Sequence, residues 1–437
     1  MDIESLAEKA QNIIDYEAAN SPSIKKILKI VKQFIQKNRV LCYGGTAINN
    51  LLPESDRFYD PTYDIPDYDF YSETPQIHAM RLADEFDTLG FKNIQVKPGS
   101  HLLTFKVFVE FTGVADITYL EPPIFKALWE ENVVSGGIHY VTPNFLRMSM
   151  YLELSRPKGD VSRWSKVYKR LMLLNKSYPV GCKKETVHRN ESITDKHRED
   201  VENILRTKQV ILLGLHASKL HAKSRTNVWE IPIDVLVTPE HYMTYTDLFA
   251  DVFGEKVKIV EHPAYAELLP KHADIIERES GFLLVRVFET MACHSFHELK
   301  NGIRVSSIPT LLQFFFAFVY ADAHFLEGFD QNRIICIAQR LVDLAHKDKD
   351  RRFDLLTPLE CLGHQETLVE MKADAQVLKD KTSKESDDFL KFFFTYEPSK
   401  LNKTRKQSLR KRLRKTTKRL PTIVDEPVLD HERPHEV

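Results

Sequence analysis

Three acids in this chain stand at spacings suited to holding divalent cations. Asp67 and Asp69 lie in Tyr63-Asp64-Ile65-Pro66-Asp67-Tyr68-Asp69-Phe70-Tyr71-Ser72, and Asp116 lies in Val114-Ala115-Asp116-Ile117-Thr118. The alternation of acid and aromatic residues predicts a strand, with Asp67 and Asp69 on one face, about 7 Å apart. A neighbouring strand carrying Asp116 would gather three carboxylates, which repel one another unless a cation sits among them. Mg2+ or Mn2+ suits oxygen ligands and leaves positions for water and phosphate. Two such ions about 4 Å apart activate an attacking hydroxyl and stabilise a leaving pyrophosphate.

A second feature complements the acids. Cys42-Tyr43-Gly44-Gly45-Thr46-Ala47-Ile48-Asn49-Asn50 places two of the chain's 15 glycines between an apolar strand, Arg39–Tyr43, and a helix ending near Leu52. The start of such a helix presents unpaired backbone N–H groups and a positive dipole end. The missing Cβ atoms of Gly44 and Gly45 let a triphosphate approach the backbone, and the Thr46 hydroxyl can donate to phosphate. Taken singly, an acidic strand or a Gly-Gly turn is more often structural than functional; together and in this order they point to nucleotide chemistry.

The elements that must position these residues follow from periodicity. An amphipathic helix starts at Pro22, with Ile24, Ile27, Leu28, Val31 and Ile35 on one face. A helix over Pro75–Leu89 stops at Gly90, and strands are predicted over Phe91–Val96, Leu102–Phe111 and Gly113–Tyr119. The fold class is α/β (α+β), a mixed sheet with helices. The pattern then echoes itself. Val210–Ala217 reads as a strand entering a turn at Gly214, and Glu230–Thr238 repeats the acidic strand. Thr74-Pro75 answers to Thr238-Pro239, Gly90 to Gly254 and Gly137-Ile138 to Gly302-Ile303, which suggests a duplicated unit. The second copy keeps one turn glycine and one acid, Asp234, which falls opposite Tyr68 unless the register slips by one; nothing there stands for Asp116. It reads as a scaffold without the chemistry.

Between the copies runs a basic helix, Arg163-Trp164-Ser165-Lys166-Val167-Tyr168-Lys169-Arg170-Leu171, from which Lys166 and Arg170 are candidates to reach phosphates. Trp164 and Tyr168, at i and i+4, read as core, as does Phe314-Phe315-Phe316-Phe318. The organisation expected is a catalytic domain over 1–180, a degenerate second domain over 181–398, and a disordered tail over 399–437, basic and then acidic.

Composition narrows the class. The net charge is −1, yet ten Lys or Arg and no acid lie between Lys403 and Arg419, so the rest of the chain is negative. Lys403, Arg405, Lys406, Arg410, Lys411, Arg412, Arg414 and Lys415 are candidates for a sequence-blind grip on RNA, with a nuclear-import signal as the competing reading. Five scattered cysteines without a CxxC pair predict a reducing compartment, no disulfide framework and no cysteine zinc site. The acidic, polar start lacks a signal peptide, and the apolar run near Leu311–Ala321 is too short for a bilayer, so no membrane partner is expected.

The Gly-Gly-Thr turn, the DxD strand and the distal Asp resemble the DNA polymerase β-type nucleotidyltransferase superfamily. More closely, YGGTAINNLLP, YDIPDYDFYS and SRPKGDVSRWSKVYKRL look like the poly(A) polymerase catalytic subunits of large cytoplasmic and giant DNA viruses. The likeness is close over about residues 40–175. It implies template-independent transfer of AMP from ATP to an RNA 3′ end with Mg2+ or Mn2+, as in mRNA polyadenylation. Asp67 and Asp69 would hold both metals, Asp116 would complete the nucleophile side, and Gly44, Gly45 and Thr46 would hold the triphosphate. It also implies a degenerate second nucleotidyltransferase-like domain, work in the host cytoplasm (the viral factory) or the virion, and either a homodimer or a separate processivity subunit. Uridylyl or CCA-adding transfer, or an inactive RNA-binding scaffold subunit, are the alternatives.

Overall fold

The computed structural model describes residues 2–183, 192–222, 229–266, 268–321, 331–347 and 358–417. Two mixed sheets organise it. The first contains β1 (Leu41–Tyr43), β2 (Asp69–Ser72), β3 (Gln95–Pro98), β4 (Thr104–Val109), β5 (Thr112–Tyr119), β6 (Val133–Ser135) and β7 (Ile138–Tyr140), in the order β3-β4-β5-β2-β1-β7-β6. The second contains β8 (Ile211–Leu212), β9 (Ile233–Val237), β10 (Val257–His262), β11 (His272–Glu277), β12 (Leu283–Glu289), β13 (His294–Glu298), β14 (Arg304–Ser306) and β15 (Cys361–Leu362), in the order β10-β11-β12-β9-β8-β14-β13-β15.

Apart from β15, the two orders are the same. So are the directions: β1 and β8 run antiparallel to β2 and β9, which run parallel to β5 and β12. The repeat read from the sequence is thus a repeat of topology. Each sheet buries its inner face on helices. Pro22–Lys37 contributes Ile27, Val31, Phe34 and Ile35 to the core of the first. Pro143–Leu154 of the first domain packs along Ile308–Tyr320 of the second, where the Thr142 and Tyr320 hydroxyls meet at 2.5 Å. The phenylalanines of that second helix are buried, as their pattern predicts.

Four expectations need correction. Phe91–Val96 is mostly loop, and its strand starts only at Gln95. Four cysteines are paired as disulfides, Cys182 with Cys336 and Cys293 with Cys361. Partners 154 and 68 residues apart leave no spacing signature, and only Cys42 is free. The basic run is a helix over Lys403–Thr417; residues 418–437 of the expected tail lie outside the described residues. Nor does 399 begin a separate unit, because the stretch before it and the helix both dock on the first domain. Tyr396 exchanges backbone hydrogen bonds with Val96 at 2.8 and 3.0 Å. Around Asp84 converge the Tyr396 hydroxyl at 2.5 Å, Lys406 Nζ at 2.9 Å and Arg410 Nη2 at 2.5 Å.

Asp84 therefore fixes the basic helix to the first domain. Asp84→Ala is expected to cost about 1–3 kcal/mol through the donors left behind. Trypsin should then cut within 403–415 faster than in the parent chain, with thermal melting reporting the destabilisation.

Candidate active site

The site is assembled at the end of β1. Tyr43 pairs with Asp69, and Asp69 in turn lies opposite Asp116 on β5, which lies opposite Lys106 on β4. Register alone therefore lines up two of the predicted acids and one cation on adjacent strands. Asp67 lies just before β2, two residues from Asp69, and its main chain is fixed by the Thr46 hydroxyl, which donates to the Asp67 carbonyl at 2.6 Å. The Asp116 N–H donates to the Tyr68 carbonyl at 3.0 Å and joins the same segment to β5.

Both glycines have local structural reasons. Gly44 has φ +74°, in the left-handed region, and a Cβ there would come within 2.5 Å of Asp69 Oδ2. A Cβ on Gly45 would lie 2.6 Å from the Tyr59 hydroxyl and 2.7 Å from Arg170 Nη1. Gly44 is thus needed so that turn and carboxylate can touch, and Gly45 so that Arg170 can reach the turn. The helix Gly44–Leu51 that follows has no side-chain cap, which leaves its first-turn N–H groups for an anion. Thr46 is buried with its hydroxyl turned to Asp67, so it acts here as a tie between the turn and the acid strand.

Charge is concentrated among the acids. Burial first, then Asp67 and Asp116, pushes the Asp69 carboxyl up to about 8. Asp67 is raised as well, by burial and then by Asp116. Lys106 Nζ stands 2.5 Å from Asp116 Oδ2 and offsets part of the repulsion, the position of a cation among these carboxylates. An all-oxygen donor set that is partly open to solvent and already draws in an ammonium fits Mg2+ or Mn2+.

The expected basic helix spans Trp164–Ser177 and brings Arg170 to this edge. Arg170 Nη2 donates to the Tyr59 hydroxyl at 3.0 Å, and its guanidinium lies over the Phe58 ring at 4.5 Å. That loop is held in turn by Asn49 Oδ1, which accepts from the N–H of Phe58 and of Tyr59, both at 2.9 Å. Lys166 lies one turn before Arg170, close enough for Arg170 and Arg163 to lower its ammonium pKa. Arg163 also favours ionisation of Asp69. Trp164 and Tyr168 pack partly buried against the core, as expected. Sequence reasoning missed Lys106, Arg163 and Tyr59. Lys106 had a signal, as the single charge in the otherwise apolar-patterned Thr104-Phe105-Lys106-Val107-Phe108-Val109.

The second domain carries the same frame with the charges rearranged. Gly214 has φ +68°, and a Cβ there would collide with the Asp234 carboxylate. The Leu213 N–H donates to the Asp234 carbonyl, so Asp234 stands where Asp69 stands in the first domain, and not at the place of Tyr68. Opposite it, Arg286 replaces Asp116, and Asp274 replaces Lys106. Arg286 Nε donates to Asp274 Oδ1 at 2.9 Å, a buried ion pair with the signs exchanged.

Of the basic residues near the C-terminus, Lys406 and Arg410 are committed to Asp84, and Arg412 to Asp387 at 3.1 Å. Lys403, Arg405, Lys411, Arg414 and Lys415 are exposed. Among the described residues no helix is long and apolar enough to cross a membrane.

The raised carboxyl of Asp69 has a definite sign. The metal-free folded protein holds a proton there that the unfolded chain releases, so stability falls as pH rises from about 4 to about 8. Metal-free Asp69→Asn is expected to melt above the parent at pH 8, with the gap closing towards pH 5. Mg2+ should raise the melting temperature of the parent and leave the variant nearly unmoved. Scanning calorimetry with EDTA or Mg2+ checks both statements.

Comparison with known proteins agrees with this geometry. Residues 29–160, which include the glycine turn and all three acids, match the family described as poly(A) polymerase catalytic subunit. A protein of Acanthamoeba polyphaga mimivirus named as such a subunit is 31% identical over 160 residues, 36% of this chain and 27% of that protein. One of African swine fever virus (isolate Tick/Malawi/Lil 20-1/1983), named likewise, is 30% identical over 178 residues, 39% of this chain and 37% of its own length. The matches thus span about a quarter to somewhat over a third of those relatives. The crystal structure of the Megavirus polyadenylate synthase superposes with a TM-score of 0.75 at 18% identity, covering 95% of this chain and 88% of that one. The chain is therefore similar, through its first domain, to viral poly(A) polymerase catalytic subunits, and over nearly its whole length it shares the fold of the Megavirus polyadenylate synthase.

Proposed function

We propose that the chain is a polynucleotide adenylyltransferase that lengthens RNA 3′ ends with AMP from ATP and so builds the poly(A) tails of mRNA. The observation that carries this reading is the meeting of Asp67, Asp69 and Asp116 with the Gly44 turn, inside the segment that matches the catalytic-subunit family.

Asp67 and Asp69, with Asp116 completing the set, are the residues that would hold divalent ions, which supply Lewis-acid activation of the hydroxyl and charge neutralisation of the pyrophosphate. In the reaction the RNA 3′ oxygen bonds to the α-phosphorus of ATP, the bond to the β-phosphate bridge breaks, and pyrophosphate leaves. Asp116 accepts the hydroxyl proton through Oδ1, since Lys106 holds Oδ2. The first-turn N–H groups after Gly44, with Arg170 and Lys166, take the triphosphate. Arg170 is suited to this because the Tyr59 hydroxyl and the Phe58 ring fix its fork beside Gly45. Thr46 contributes by holding Asp67 in place. The exposed cations Lys403, Arg405, Lys411, Arg414 and Lys415 offer RNA a sequence-blind surface.

Asp67→Ala and Asp69→Ala are each expected to lower tailing by about 10²–10³-fold or more, with thermal stability kept. Near-parental tailing by either variant would end this mechanism. The same assay with each of four nucleotides on one primer separates the alternatives: ATP should be strongly preferred, and equal use of UTP would favour a uridylyltransferase.

Truncation after Asn402 should flatten the dependence of log affinity for RNA on log salt by about 0.7 for each phosphate that the basic helix neutralises. An unchanged slope would remove that helix from RNA binding.

A further inference from the structure

On the second sheet, one strand beyond the exchanged ion pair, lies a cluster the activity does not use. His262 on β10 stands directly opposite His272 on β11, and Asp274 follows two residues along β11, on the same face as His272. A ring nitrogen from each histidine and a carboxylate oxygen of Asp274 all lie within 4.8 Å of one another. The imidazole rings are stacked, with centroids 4.7 Å apart and planes 11° from parallel. His262 Nε2 lies 3.1 Å from Asp274 Oδ2.

We propose that His262, His272 and Asp274 form a binding site for a zinc-class divalent cation, distinct in place and in ligand type from the three carboxylates of the first domain.

Several observations favour this over a plain histidine–carboxylate pair. His272 Nδ1 lies 3.4 Å from the Pro270 carbonyl. A carbonyl only accepts, so this contact favours the tautomer with the proton on Nδ1 and the lone pair on Nε2, the arrangement of a metal-ligating histidine. Asp274 gives Oδ1 to Arg286 and turns Oδ2 towards the imidazoles, so its own orientation is set by a partner outside the cluster. Phe288 lies against His272, with ring centroids 5.1 Å apart, and restrains that ring from the core side. Two imidazoles and one carboxylate match Zn2+, and the oxygen-seeking Mg2+ far less well. The described residues supply three ligands, and a four-coordinate ion takes one more. Strand β10 is the sheet edge and His262 is partly exposed, so an ion can enter from solvent. The ion would pin that edge strand to β11 and hold Asp274 in its bond to Arg286.

The test uses the full chain carrying Asp67→Asn and Asp69→Asn, which silences the first-domain carboxylates, after EDTA treatment and desalting. Titration with Zn2+, and with Co2+ as a visible-light probe, is expected to show one equivalent bound per chain. Co2+ should give the intense absorption of a four-coordinate nitrogen–oxygen site. His262→Gln, at the exposed edge, should weaken binding by about tenfold or more, with the metal-free melting temperature kept; His272→Gln should do the same. No uptake of Zn2+, or uptake that both glutamine variants leave unchanged, overturns the assignment. Because the readout is metal binding in a chain whose Asp67 and Asp69 are replaced, its failure says nothing against adenylyl transfer.

Discussion

The contact between Gly44 and Asp69 is the constraint on which the first domain turns. A carboxylate pressed against a backbone turn demands a residue without a side chain, and only a left-handed glycine meets both requirements. That contact brings the start of a helix, with its unpaired N–H groups, against a cluster of acids. Like charges so placed resist folding unless something positive joins them. Lys106 answers part of that need from within the chain. A cation from solution would answer the rest, so on the proposed reading repulsion among the acids and a preference for metal have one origin.

The second domain shows what the frame becomes when that need is met internally. Its glycine still touches an acid, Asp234, at the same place. Exchanging Asp116 for arginine and Lys106 for aspartate satisfies the strand pair without an ion. Asp234, with its carboxyl pushed up to about 7 mainly by burial, remains as a lone acid. The same pairing holds there with different charges, because it depends on backbone register and apolar faces more than on the charges the strands carry.

Much of this was legible in the sequence because it is local. The three acids, the glycine turn and the repeat all announce themselves through spacing within short windows; the structure brings Asp69 and Asp116 to adjacent strand positions, while Asp67, expected on the same strand as Asp69, lies just before it. What stayed hidden depends on register or distance. The loop between turn and acid is shorter in the second domain, which concealed that Asp234 answers to Asp69. Arg170 was readable as basic, but its seat beside Gly45 depends on Asn49 holding the Phe58–Tyr59 loop. The disulfide partners, and the docking of Lys406 and Arg410 on Asp84, join residues far apart in the chain, where a charge run or a scattered cysteine carries no address.

The return of the chain to the first domain has a mechanical meaning. Cys361–Leu362 is stitched into the second sheet, and some thirty residues later Tyr396 is stitched to β3 of the first. The two lobes are thereby belted together at a site away from their main helix–helix contact. Separation of the lobes must either take up slack in the connecting segment or peel Tyr396 from Val96. The last stretch of the chain thus acts as a tether of fixed length, which limits how far the two lobes can part.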